Sequence, residues 1–263
     1  MSSKKFRFIV SSPLSGDYNM AIDEALYLTF LKKREPVIRF YFWYPSVLSV
    51  GRFQKISDIN KFFPIQEGGY FVRRLTGGNA LFHHEEISYS IVCSQEHLGN
   101  LSVIDSYKKL TSFVLDFYNS LNLNAKWACE CKDDYKSSES PVLCYQGKEK
   151  YDIVIDGQKV GGNAQKRSHD VIFQHGSIPI KSRKNLSKEY EYGRSLQDWI
   201  GDISYKSALK GLALSFSKEM NVDLDFCEPS KDEIRLASYL REKKYLSESW
   251  NKDGIEQETY LAS

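Results

Sequence analysis

The stretch "VRRLTGGNALFHHEEISYSIV", Val72–Val92, frames the whole chain. With Tyr70 and Phe71 before it, its opening reads as a short β-rich run, Tyr70–Leu75. Its close, Ile87–Val92, alternates apolar and polar residues with the period of two that a strand requires. Between the two lie Arg73 and Arg74, a Thr76-Gly77-Gly78 turn, Asn79, and the pair His83-His84. Adjacent glycines let a backbone approach a ligand closely and turn its N–H groups outward. An arginine beside such a turn can hold a phosphate or a carboxylate. A plain turn between strands uses the same residues, so the pattern alone leaves both readings open. His83 and His84 cannot share one face of a strand.

Working outward, "GDYNMAIDEALYLTFLKK" reads as a helix with Ile22, Ala25, Leu26, Thr29 and Phe30 on one face and Asn19 as N-cap. Val37–Tyr44 is apolar and aromatic at successive positions, as a strand covered on both sides would be. Leu101–Leu121 carries Val103, Tyr107, Leu110, Val114, Phe117 and Leu121 at steps of three and four, a helical spacing. The polar stretch 129–142 is the best loop candidate. "YDIVIDGQKV" reads as a hairpin turning at Asp156-Gly157, and "VIFQHGSIPI" as a further strand. Tyr205, Leu209, Leu212, Phe216 and Met220 mark another helix. Ser230 with Glu233 forms a capping-box start for one over about Lys231–Lys243. With no internal repeat and no linker, the chain reads as a single α+β domain over 1–263. Its central mixed or antiparallel β-sheet is flanked by helices, with a core at about 5–225 and a C-terminal helical extension at about 226–263.

The composition fits a globular chain: 263 residues, 41% hydrophobic and 14% aromatic, with seven prolines. Thirty-six basic residues against 34 acidic ones leave a formal charge of +2 with no long block of either sign. That provides no electrostatic footprint for nucleic acid. No apolar run is long enough to span a bilayer, and the Phe6–Val10 run is too short for a secretion signal. A cytoplasmic protein with no nucleic-acid or membrane partner is the expectation. The five scattered cysteines, Cys93, Cys129, Cys131, Cys144 and Cys227, fit reduced thiols rather than a disulfide framework. The single C-x-C lacks the second ligand pair of a zinc site, so no metal is expected.

Two more segments repeat the pattern of glycine beside a cation or histidine. "GQKVGGNAQKR", Gly157–Arg167, places Lys159 just before Gly161, Gly162, Asn163 and Ala164. "FQHGSI", Phe173–Ile178, places His175 before Gly176. Three such strand ends favour one ligand site over three unrelated turns. Cys144, in the apolar context "VLCY", reads either as a small core residue or as a nucleophile needing a nearby cation such as Lys159.

Taken together, the segments resemble the biotin/lipoate protein ligase superfamily in its lipoyl/octanoyl branch. "RRLTGGNALFHHEEISYS" is similar to R-R-x-T-G-G-G/R-A-V-x-H. "GQKVGGNAQKRSHDVIFQHGSI" is similar to G-x-K-[IV]-x-G-x-A-Q-x-R followed by Q-H-G-[ST]. "NMAIDEAL" and "IRFYFWYPSVLSVGRFQ", with Arg39, Trp43, Pro45, Gly51 and Gln54, resemble the family's opening; the likeness is strongest over about 14–180. It departs from the family at Asn79, where glycine or arginine is usual, and at Asn163, where serine is usual.

The resemblance implies the ligase catalytic-domain fold with an acyl chain in an apolar tunnel. It places Arg73, Gly77, Gly78, His83, Lys159, Gly162 and Ala164 at substrate-contacting positions. Arg74, Thr76, Asn79, Asn163, His175 and Gly176 flank them and join the expected binding set. Similar octanoyltransferases and amidotransferases carry a nucleophilic cysteine in the loop before the lysine hairpin, where Cys144 stands. The roughly eighty residues after the last motif are fewer than a fused accessory domain needs, which leans the same way.

The expectation is therefore an acyltransferase. Cys144 takes an octanoyl or lipoyl group from a donor such as acyl carrier protein, with Lys159 favouring the thiolate and positioning the carbonyl. The acyl-enzyme passes the group to a lysine of a lipoyl-domain or glycine-cleavage H-type protein, with no cofactor required. An ATP- and Mg-dependent lipoate–protein ligase is the alternative, and a non-catalytic acyl-binding protein the third reading.

Overall fold

In the computed structural model, residues 4–60, 71–131, 144, 149–183 and 193–256 are described. The elements begin with β1 (Lys4–Leu14), α1 (Gly16–Lys33), β2 (Val37–Trp43), β3 (Val47–Val50), α2 (Ile56–Asn60), β4 (Phe71–Arg73), β5 (Leu81–His83), β6 (Glu86–Ser94) and α3 (Val103–Ser120). They continue with β7 (Lys126–Trp127), β8 (Ile153–Ile155), β9 (Gln158–Lys159), β10 (Asn163–Ser168), β11 (Val171–Pro179), α4 (Gln197–Ile200), α5 (Tyr205–Met220), β12 (Val222–Phe226) and α6 (Lys231–Leu240). Tyr70 and most of the 129–142 loop candidate fall outside the described residues.

Six strands form the main sheet in the order β10-β11-β6-β2-β1-β12. β12, β1 and β2 run parallel, and β2, β6, β11 and β10 pair antiparallel in turn. The sheet is mixed and flanked by helices, as the sequence implies. Parallel neighbours need a crossover, and α1 supplies it between β1 and β2. Side chains alternate along each strand and so build two cores. One face sends Phe6, Phe40, Tyr89, Ile91 and Ile172 against α3 and α5. The other sends Ile9, Val37, Tyr41, Val92 and Phe173 against α1 and α6.

Two expectations need correction. Ser15, not Asn19, precedes the first turn of α1. Asn19 is wholly buried, donating to the carbonyls of Leu14 and Phe42. The helix is also buried far beyond one stripe, because the sheet covers one side and α6 another. Its buried Asp23 and Glu24 are tolerated because Arg39 and Lys244 pair with them. β6 is the strand that its alternation predicts. Every residue of it is buried, and its polar positions Glu86, Ser88 and Ser90 face the α1 side.

Two three-stranded sheets complete the fold. β3 pairs parallel with β4 and antiparallel with β5. β7, β8 and β9 form an antiparallel meander. The β8–β9 turn is the expected one: Asp156 (φ 48°) and Gly157 (φ 73°) both take the left-handed backbone of a tight hairpin.

The C-terminal extension is part of the core. The Ser230–Glu233 capping box opens α6 as the sequence predicts, and Ala237, Leu240, Tyr245 and Trp250 pack with α1. The Trp250 indole N–H donates to the Arg73 carbonyl at 2.9 Å. The Arg73 guanidinium in turn donates to carbonyls of Gly51, Gln54, Trp250 and Lys252 at 2.7–2.9 Å. Among the described residues no helix is long and apolar enough to cross a membrane. Trp250→Ala is expected to cost about 3–5 kcal/mol, since it leaves a cavity and a buried carbonyl without its donor. Urea denaturation compared with wild type measures it.

Candidate active site

The three glycine-punctuated segments converge. The β10–β11 register sets Asn163 opposite Gly176 and Ala164 opposite His175. The Cys144 backbone N–H donates to the Ala80 carbonyl at 2.8 Å, tying the cysteine to the Thr-Gly-Gly segment. β9 brings Lys159 to the same place. A cavity of about 270 Å³ opens between them. It is lined by Cys144, Lys159, Arg74, Gly77, Gly78, Asn79, His83, Gly162, Asn163, Ala164, His175 and Gly176. Such a volume lies near the lower end for small-molecule sites, about 300–1,000 Å³.

The sulfur of Cys144 rests against Gly162: a Cβ added there would stand 2.5 Å from Sγ. A side chain at Gly162 therefore displaces the thiol. The Cys144 side chain is hydrogen-bonded to Lys159. Lys159 Nζ lies 2.7 Å from Asp152 Oδ2. Asp152 is fixed by the Glu149 backbone N–H, also 2.7 Å from Oδ2. Burial opposes the Lys159 charge, but Cys144 and Asp152 outweigh it and push the lysine above its ordinary value. The ammonium form thus persists in a site only 8% exposed at Lys159.

The wall facing β6 is a buried polar network. Glu86 accepts from His83 and Ser88 on one oxygen and from Ser177 and Arg183 on the other, all at 2.6–2.7 Å. Burial alone would raise its pKa, but His83 and Arg183 hold it down to about 2. His83 bonds Ser49 through its other nitrogen and stacks on Trp43 with ring centroids 4.0 Å apart. His175 bonds Thr76 at 2.6 Å. Burial, with Arg74 and His83 nearby, pushes His175 well below the ordinary histidine value, so it stays neutral.

Two of the expected residues do not reach the cavity. Arg73 lies behind it in its cage of carbonyls, and so cannot hold a substrate anion from there. Thr76 acts through His175 and Arg74 rather than by lining the wall. Arg74 does line it, but its donors go to the carbonyls of Gly77 and Asn79 and to Ser49. Burial pushes it down to about 10, against the opposing influence of Cys144.

A profile of the lipoyl protein ligase A/B catalytic domain matches residues 15–210. Octanoyltransferase LipM of Bacillus subtilis (strain 168) is 33% identical, over 95% of this chain and 99% of its own. The chain belongs to the lipoyl protein ligase A/B catalytic-domain family. Octanoyltransferase LipM of Staphylococcus epidermidis is 32% identical, over 93% of this chain and 97% of its own. Among solved structures, the bi-partite lipoate protein ligase of Thermoplasma acidophilum matches with a TM-score of 0.75 at 21% identity, covering 98% of this chain and 100% of its own. Lipoate-protein ligase A bound with ATP matches with 0.76 at 22% identity, covering 95% and 100%. At these identities the solved structures establish the fold.

Within this family fold the cavity also uses residues that were not among the expected site residues. Met20, Tyr41, Trp43, Leu81 and Tyr107 supply apolar and aromatic surface, and Asp152 supplies the lysine's counter-charge. Met20 comes from α1 and Tyr41 from β2, where apolar residues read simply as core, and Trp43 from the end of β2, where it marked only the family's opening motif. Asp152 has one usable signal, a buried-strand flank seven residues before the lysine across a tight hairpin. Glu86 carries a stability consequence. Its depressed pKa adds stability above the unfolded carboxyl value near 4.5, and that stability is lost as pH falls towards about 2. Glu86→Gln is expected to lose on the order of 3 kcal/mol at pH 7, with the gap to wild type closing between about pH 4.5 and 2. Chemical denaturation across pH tests this.

Proposed function

We propose that this chain is a protein octanoyl/lipoyl transferase that carries the acyl group as a Cys144 thioester and delivers it to a lysine of a lipoyl-type acceptor domain. One observation carries the reading: the Cys144 side chain is hydrogen-bonded to a buried lysine whose charge is held by Asp152, at a cavity with apolar and aromatic walls. The octanoyltransferase relatives, aligned over nearly the whole chain, support the same chemistry.

The steps balance without a nucleotide. Cys144 as thiolate attacks the donor thioester carbonyl, the sulfur–carbon bond forms, and the donor thiolate leaves with a proton from the Lys159 ammonium. Neutral Lys159 then accepts the proton of the incoming acceptor amine as the nitrogen–carbon bond forms and Cys144 departs as thiolate. The thioester is exchanged for an amide, and the Cys144 thiolate and Lys159 ammonium are restored. Asp152 positions Lys159 and favours its ammonium form. Acyl carrier protein is the proposed donor and a lipoyl domain or H-type protein the acceptor.

Octanoyl-loaded acyl carrier protein without ATP is expected to leave one octanoyl group on the wild-type enzyme and none on Cys144→Ala, read by intact mass. Transfer that needs ATP and free lipoate and survives Cys144→Ala would instead select an adenylate-forming ligase. Asp152→Asn removes one of the charges that raise Lys159. It is expected to slow acylation about tenfold and move the alkaline limb of the pH–rate profile to lower pH. An unmoved limb assigns Asp152 no part in holding the proton.

A further inference from the structure

Asn163 follows Gly162, against which the Cys144 sulfur rests, and both residues line the cavity. Its side-chain oxygen lies over Gly176, where an added Cβ would stand 2.1 Å from Oδ1. A chain of hydrogen bonds lies behind this amide. The Thr111 hydroxyl donates to the Tyr107 carbonyl at 2.8 Å. Its oxygen therefore accepts from Gln174 Nε2, at 2.8 Å. Gln174 Oε1 then faces Gln165 Nε2, at 2.9 Å. The Gln174 nitrogen is consequently the atom nearest the Tyr89 hydroxyl, at a long 3.5 Å. The Tyr89 hydroxyl, which also bonds Thr111, donates to Asn163 Oδ1, at 2.7 Å. The Asn163 oxygen is thus engaged from behind.

The Asn163 nitrogen is left for the cavity. Among the described residues Nδ2 makes no hydrogen bond. The indole nitrogen of Trp199 is the one sealed side-chain nitrogen or oxygen without a partner among them. Nδ2 is therefore open to the cavity space and not walled in. A neutral amide donor, held from behind and lining the cavity that also holds a nucleophile, is the kind of group that stabilises a tetrahedral oxyanion in acyl transfer.

We propose that Asn163 Nδ2 is an oxyanion donor for acyl exchange at Cys144 and that Tyr89, with Gln174 and Thr111 behind it, is the positioning residue that aims it. This rests on the transferase reading above. As Cys144 Sγ bonds to the carbonyl carbon, the C=O π pair moves onto oxygen, and the Asn163 N–H donates to that oxygen. The pair returns as the donor's carbon–sulfur bond breaks, and the thiolate leaves as described. The same donor serves the second step, when the acceptor amine attacks. Serine, usual at this place in the family's motif, offers a shorter donor.

Two rates at Cys144 separate this role from a merely structural one. Single-turnover acylation by octanoyl-loaded acyl carrier protein passes through an oxyanion. Alkylation of the same thiol by iodoacetamide, followed at the Cys144 peptide by mass spectrometry, does not. Asn163→Ala is expected to slow acylation about a hundredfold while alkylation stays within about twofold of wild type. Asn163→Ser recovers part of the loss, and Tyr89→Phe loses about tenfold by freeing the amide to turn. Asn163→Ala acylating within about threefold of wild type overturns the assignment, as does a parallel loss of both rates. A wild-type enzyme that takes up no acyl group overturns the transferase reading itself, and the oxyanion role with it.

Discussion

A single buried carboxylate holds the site's scaffold together. Glu86 accepts four hydrogen bonds from four different parts of the chain: His83 on β5, Ser88 on β6, Ser177 on β11 and Arg183 beyond it. A buried charge survives only when it is fully paired, and this one is. Because Glu86 fixes one nitrogen of His83, the other faces Ser49 and the ring lies flat on Trp43. One wall of the cavity therefore inherits its shape from an ion that touches nothing in the cavity itself. Asp23 does similar service on the α1 side, accepting from Arg39, Tyr41 and Ser90.

The parts of the fold written in short-range chemistry were legible in the sequence. The Asp156-Gly157 hairpin, the Ser230–Glu233 cap and the helical spacing of α3 depend on neighbours a few residues apart. What escaped depends on partners distant in the chain. Arg73 looks like an anion clamp beside its glycines, yet carbonyls some 20 and 180 residues away take its donors. Asn19 looks like a cap, though it is a bolt between β1 and β2. In each case the local pattern named the residue type correctly, and tertiary packing reassigned its task.

The fold by itself leaves the chemistry open. A ligase bound with ATP and this chain share an architecture at 22% identity, so reaction type has to be argued from individual side chains. Here those are a thiol, an ammonium and a carboxylate in series, with neutral polar groups around them. His175 adds no charge, and Arg74 turns its hydrogen bonds inward to the turn that carries it. Positive charge near the sulfur thus comes from groups held in place, Lys159 by Asp152 and Arg74 by the carbonyls of Gly77 and Asn79, with little rearrangement left to make when a substrate arrives.

The carbonyl cage around Arg73 has a consequence for how the molecule is made. Two of its acceptors, the carbonyls of Trp250 and Lys252, are synthesised some 180 residues after the arginine they hold. Until they emerge, a nascent chain presents the Thr-Gly-Gly segment next to a buried cation with part of its coordination missing. The order of translation thus delays completion of the site until residues 250–252 have emerged, and a product interrupted before them lacks the clasp that seats its glycine turn.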